Sequence, residues 1–261
     1  MTKGIIIVGY GTRTGNLTEI LERQAARLRA RGIPNVYVAY FRVSKPTIQE
    51  AVKQAVADGV DDILALPYYI AEGRLTFELI PEELGLETGS RGTVKVDGKE
   101  VRIRMATAFG STWALTDILV DPISDCGGKF DDGILVLGHG SRDLTSSNEE
   151  IIALNAVRLD SMGYEHVQYS FNEFVEPTIA DALKGLAAEG VDRIIAVPLF
   201  IANGVHLGEE IPEQLGIPAY SPGGTIEVDG RKIELVYTKP VEDDPRLTDV
   251  LLAKVAEFRG E

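Results

Sequence analysis

Cysteine occurs once in 261 residues, tryptophan once and histidine three times. The single thiol, Cys126, excludes an intramolecular disulfide and fits a reducing compartment, so the cytoplasm is the expected location. No apolar run approaches the ~18 residues of a membrane span. The N-terminal MTKGIIIVGYGTR has no cleavage pattern behind its short aliphatic stretch and reads as a first strand. Positive charge is also scarce, with 26 Lys and Arg against 40 Asp and Glu and a formal net charge of -14. A nucleic-acid binder needs a basic stripe that this balance does not supply. An acidic chain can still hold an acidic small molecule through a local cluster of cations.

What is present is one unit written twice. The aliphatic runs Gly4–Gly9 and Gly133–Gly138 read as strands buried on both faces. Each is followed by a glycine-bounded loop, IVGYGTR in the first copy and VLGHGSR in the second, and then by a segment of helical period. Pro46-Thr47 and Pro177-Thr178 each open a further helix. The runs DDILALP and DRIIAVP supply a third buried strand, and Val96-Asp97-Gly98-Lys99 is echoed by Val228-Asp229-Gly230-Arg231 as a hairpin turn. The copies are offset by 129 residues at Tyr10 and His139, and by 131 from Pro46 and Pro177 onward.

Strand alternating with helix predicts an α/β fold: two tandem parallel-sheet units, helices on both sheet faces, and a crevice between the halves. The expected domains are residues 1–120 and 133–261, joined by a polar, glycine-rich linker at 121–132 that contains Cys126. Trp113 is expected in the core or lining the crevice. In open parallel sheets ligands bind beyond the carboxyl ends of the strands, where both histidine-bearing loops fall.

Aligning the copies isolates the chemistry. His139 stands opposite Tyr10, His206 opposite Leu75, Glu173 opposite Arg42, Glu176 opposite Lys45, and Val205 opposite Arg74. Two imidazoles with carboxylates nearby suit a borderline divalent metal such as cobalt, nickel, zinc or iron(II), and imidazole can equally accept protons near neutral pH. His166 has no motif around it and reads as a surface residue. Glu209 and Glu210 read as favouring a helix start through its dipole, because Glu78 persists in the first copy without a histidine. The segment GYGTRTG lacks the lysine of a phosphate loop and the spacing of a dinucleotide site.

The motifs GHGSR (138–142), FNEFVEPT (171–178) and VPLFIANGVH (197–206) resemble those of the small sirohydrochlorin chelatases of the CbiX type. These are class II chelatases, which insert cobalt, nickel or iron into sirohydrochlorin without ATP. The second half carries all three motifs in order; the first keeps the pattern but lacks the histidines. The resemblance implies that His139 accepts a pyrrole proton and, with His206, holds the incoming metal. Glu173 is implied as a further acid–base group. Ser141, Glu176 and the loop Ile201, Ala202, Asn203, Gly204 and Val205 are implied as tetrapyrrole contacts. The short members pair as homodimers, so the tandem chain is expected to act as a monomer with one site, no nucleic-acid or membrane partner, and no cofactor beyond the substrate metal. Arg42, Lys45 and Arg74 are expected to grip the substrate's carboxylates, since losing a metal site requires only neutral replacements. A non-catalytic tetrapyrrole or metal carrier with the same fold is the alternative.

Overall fold

The computed structural model describes residues 1–87 and 89–260. Thr88, inside the first expected domain, and Glu261, at the end of the second, lie outside the described residues. The first repeat runs β1 (Lys3–Gly9), α1 (Leu17–Ala30), β2 (Val36–Tyr40), α2 (Ile48–Ala57), β3 (Asp62–Pro67), α3 (Ile80–Glu83), β4 (Arg91–Val96), β5 (Lys99–Met105) and α4 (Trp113–Asp125). The second runs β6 (Gly133–Gly138), α5 (Asn148–Ser161), β7 (His166–Phe171), α6 (Ile179–Ala188), β8 (Arg193–Pro198), α7 (Ile211–Leu215), β9 (Gly223–Val228), β10 (Arg231–Tyr237) and α8 (Pro245–Arg259). Among the described residues no helix is long and apolar enough to cross a membrane.

Each repeat builds a sheet whose order is β2-β1-β3-β5-β4 or β7-β6-β8-β10-β9. Four strands are parallel and the outermost, β4 or β9, is antiparallel. The hairpin turns explain that reversal. Asp97 and Gly98 have φ of 47° and 83°, and Asp229 and Gly230 have φ of 49° and 80°, the left-handed pair that a two-residue hairpin turn needs. The interior strands β3 and β6 are buried along their whole length, which demands cover on both faces. Alternation divides that cover: Ile6 and Val8 pack with Ala51, Val52 and Ala55 of α2, while Ile5 and Ile7 point to the other face. Thr47 and Thr178 cap α2 and α6 with full capping boxes, using Glu50 and Asp181.

The compact units do not follow the repeat boundaries. One unit is Met1–Gly110 with Asp243–Glu261, the other Ser111–Glu242. The helix that closes each repeat in sequence therefore belongs to the unit built mainly by the other repeat. In the first unit α8 packs on α1, where Thr248 donates to the Gln24 side chain at 2.6 Å and Arg23 binds Asp243 at 2.8 Å. In the second unit α4 packs on α5, where Thr116 donates to Asn155 at 2.8 Å and Arg158 reaches the carbonyl oxygens of Ser111 and Thr112. Gln24 and Asn155 are repeat equivalents, so the two helix pairs use the same device.

The linker reading at 121–132 is corrected accordingly. Asp121–Asp125 complete α4, because Ile118, Leu119 and Ile123 keep a buried helical stripe through that polar stretch. Cys126 follows the helix, half-buried, with its thiol against the Ile123 carbonyl. Trp113 opens α4 more than half exposed, covered by the Arg158 guanidinium at 4.3 Å rather than by core. His166 is bonded to Glu189 at 2.8 Å.

A chain ending at Glu242 should lose a helix from the first unit and leave the second intact. Hydrogen–deuterium exchange should then show β1 and α1 deprotected, with β6 and α5 unchanged. Loss of protection in β6 and α5 instead would contradict this assignment of α8.

Candidate metal centre

The site is assembled at the carboxyl ends of β6, β7 and β8 in the second unit. The loops after β6 and β7 are joined through their backbones: Asn172 N–H donates to the Gly138 carbonyl at 2.9 Å, and Glu173 N–H to the His139 carbonyl at 3.0 Å. Gly140, with φ of 85°, makes the approach possible, since a Cβ there would collide with the Glu173 carbonyl oxygen. Its N–H is held by the Asn148 side chain at 2.9 Å. Gly11 occupies the same position in the first unit, with φ of 91° and the Arg42 carbonyl in the way of a Cβ. The scaffold is common to both units, whereas the side chains on it differ.

His139 and His206 meet edge to face with ring centroids 4.9 Å apart. His139 Nδ1 lies 3.0 Å from the Gly140 carbonyl oxygen, an acceptor only, so Nδ1 is the donor there and Nε2 is the nitrogen left to meet a ligand. His206 begins a five-residue π-type turn (206–210) that runs into α7, its carbonyl taking the N–H of Ile211 five residues on. Its Nδ1 lies 2.5 Å from Glu210 Oε2. Ligand atoms of Glu173, His206 and Glu210 all lie within 4.8 Å of one another, and the three residues are half-buried. The bond from His206 holds Glu210 below the usual carboxylate range, helped by Asn172, against a desolvation that works the other way. Phe174 and Phe200 flank His139, each with ring centroid 6.1 Å away.

The structure thus sets His139 beside His206, and Glu173 with His206 and Glu210. Glu176 is exposed and shares with Asn172, Glu173, Phe174 and Gln214 the wall of an open hollow of about 710 Å³. In the loop before His206, Ile201, Ala202 and Gly204 are half-buried and Asn203 and Val205 exposed, and Asn203 donates to Glu242 at 2.7 Å. Ser141 accepts the Asp143 N–H at 3.1 Å and shapes the loop.

Glu210 corrects the sequence reading. Glu209 is a surface residue that accepts the Tyr220 hydroxyl at 2.7 Å, but Glu210 belongs to the site. The signal lay in the repeat itself: Glu209 aligns with Glu78, but Glu210 aligns with Leu79. In the first unit Tyr10, Leu75 and Leu79 replace His139, His206 and Glu210, and Arg42 replaces Glu173. Tyr10 sits 6.0 Å from Phe41 between ring centroids, and Leu75 and Leu79 pack against the core. The three cations each meet an acid of their own unit: Arg42 lies on the Phe41 ring and 3.9 Å from Glu83, Lys45 is 2.7 Å from Glu50, and Arg74 is 3.0 Å from Glu78.

The CbiX family model matches residues 4–126 and again 133–258. The chain belongs to the CbiX family. It is 32% identical over 147 residues to a sirohydrochlorin cobaltochelatase of Methanopyrus kandleri, a match covering 49% of this chain and 97% of that protein. It is 36% identical over 129 residues to the sirohydrochlorin cobaltochelatase of Methanosarcina barkeri, covering 48% of this chain and 95% of the relative. These relatives are about half as long. Among solved structures, SirB from Bacillus subtilis with Fe3+ superposes with a TM-score of 0.74 at 18% identity, covering 99% of this chain and 96% of that one. CbiX, described as the terminal enzyme of sirohaem biosynthesis in denitrifying bacteria, does so with a TM-score of 0.67 at 21% identity over 97% and 98%. At such identities the structural likeness carries the fold.

Gly140→Ala and Gly11→Ala make the same backbone change with different consequences. Each should lower stability by about 1–3 kcal/mol through strain in the left-handed region. Only Gly140→Ala should also weaken binding of a divalent metal, followed by calorimetric titration. Equal weakening by both would detach the metal site from the second unit.

Proposed function

We propose that this CbiX-family protein is a metal chelatase that inserts a divalent ion, cobalt first and nickel or iron(II) as alternatives, into sirohydrochlorin without ATP. One observation carries the reading: His139 and His206 meet beside the Glu173 carboxylate, while their repeat equivalents are Tyr10, Leu75 and Arg42. The cobaltochelatase relatives support the substrate and the first choice of metal.

Insertion exchanges two pyrrole N–H protons for metal–nitrogen bonds. His139 and His206 hold the ion through Nε2, a ligand type that suits cobalt, nickel and iron(II) and that can release the ion to the macrocycle. Glu173 lies beside that position and takes a pyrrole proton, a role that imidazole fills once the metal has left it. Ser141, Glu176 and the loop 201–205 lie on or beside these metal-bearing loops and contact the tetrapyrrole. Arg42, Lys45 and Arg74 keep a place in this reading by exchanging their own acids for carboxylates of the substrate. Exposed pairs of that kind are worth about 0–1 kcal/mol, so each exchange yields little.

His139→Ala and His206→Ala should each remove most insertion activity, measured by the absorbance change of sirohydrochlorin with cobalt. Tyr10→Ala and Leu75→Ala should retain most of it. The rate should rise with pH through the range where imidazole loses its proton, because imidazolium neither binds a metal nor accepts a proton. Glu210, held low, stays ionised across that range and adds no second inflection. Equal losses from the first-unit variants would mean chemistry in both units, and a single equivalent converted per chain would favour the carrier.

A further inference from the structure

One series of hydrogen bonds in the second unit has a direction. Gln214 Nε2–H donates to Asn172 Oδ1 at 2.7 Å, which settles the amide: its oxygen is engaged and its nitrogen faces inward. Asn172 Nδ2 lies 3.4 Å from Glu210 Oε2, and the same oxygen takes the His206 Nδ1–H at 2.5 Å. The Glu210 carboxylate therefore receives both donors and returns none. Asn172 is buried at 8% exposure, whereas Gln214 at the outer end stands on the exposed side of α7.

The first unit supplies the control. Gln214, Asn172, Glu210 and His206 correspond there to Glu83, Phe41, Leu79 and Leu75, so donor, amide, carboxylate and imidazole are replaced together. Glu83 cannot donate; it accepts from Gln49 at 3.2 Å instead. Packing alone does not require this joint replacement, since the two units share the same strand order and the same π-type turn.

We propose that Gln214, Asn172 and Glu210 are positioning residues, a one-way relay that holds His206 in its Nδ1–H tautomer and leaves Nε2 for the metal. The inference rests on the reading of His206 as a metal ligand. A carboxylate on the far nitrogen also raises the basicity of a ligating imidazole, and loss of such partners commonly weakens metal binding about 10–100-fold.

Reversing the polarity of the outer link tests the relay. Gln214→Glu keeps size and shape but offers only acceptors, so the Asn172 amide must turn and set its oxygen against Glu210. Simple attraction predicts the opposite, since an added negative charge should tighten cation binding. The experiment is a titration of the full-length chain with Co2+ alone, read by visible absorption, beside thermal unfolding. Gln214→Glu should bind Co2+ about tenfold more weakly than the parent, and Gln214→Ala should fall between, both with unchanged melting temperatures. Parent-like or tighter binding by Gln214→Glu overturns the relay, as does an alanine variant weaker than the glutamate one, the mark of simple space filling. A parent chain that takes up no Co2+ at all overturns the metal-ligand reading itself.

Discussion

At the candidate metal centre, the placing of His139 and Glu173 depends on the close approach of two loops, the one after β6 and the one after β7. Backbone hydrogen bonds from Asn172 and Glu173 to Gly138 and His139 draw them together, and the missing side chain of Gly140 leaves room for the Glu173 carbonyl. Side chains on either loop inherit their separation from that contact and not from their own interactions. The same contact, at Gly11 and Arg42, is kept in the first unit, where Tyr10 and Leu75 replace the two histidines. A contact kept where those side chains differ is a property of the fold.

This separation accounts for how a duplicated chain can hold one site. The strand order, the hairpins and the π-type turns at 75–79 and 206–210 are repeated, so backbone positions match across the units. In the first unit Tyr10, Phe41, Arg42, Leu75 and Leu79 stand where the second has His139, Asn172, Glu173, His206 and Glu210. Leu75 and Leu79 pack against the core with no side-chain hydrogen bond to satisfy, whereas a lone histidine or carboxylate buried there would need a partner. The CbiX family model matches both halves, and the cluster of Glu173, His206 and Glu210 lies in the second.

Most of the fold was legible because its signals are local: aliphatic runs for the buried strands, an Asp-Gly pair for each hairpin, and Pro-Thr at two helix starts. The exchange of α4 and α8 was not, since no local pattern says which of two similar units a terminal helix will cover. At the site, His139, His206 and Glu173 were visible as differences between the copies. Glu210 was visible in the same way, opposite Leu79, but the adjacent Glu209 and Glu78 match suggested a structural role for both acids. Gln214 lies outside the three motifs, and Asn172, although inside FNEFVEPT, has nothing in the sequence to mark it apart from its neighbours. Their importance arises only when a turn of helix brings Glu210 under His206, which spacing by itself does not show.

The central claim is that one chain holds one metal site and that the second unit carries it. Calorimetric titration of the purified chain with Co2+ tests this most directly, with His206→Ala and Leu75→Ala as paired variants. The account predicts one ion per chain, lost on changing His206 and retained on changing Leu75. Two ions per chain, or one that survives the loss of His206, would contradict it.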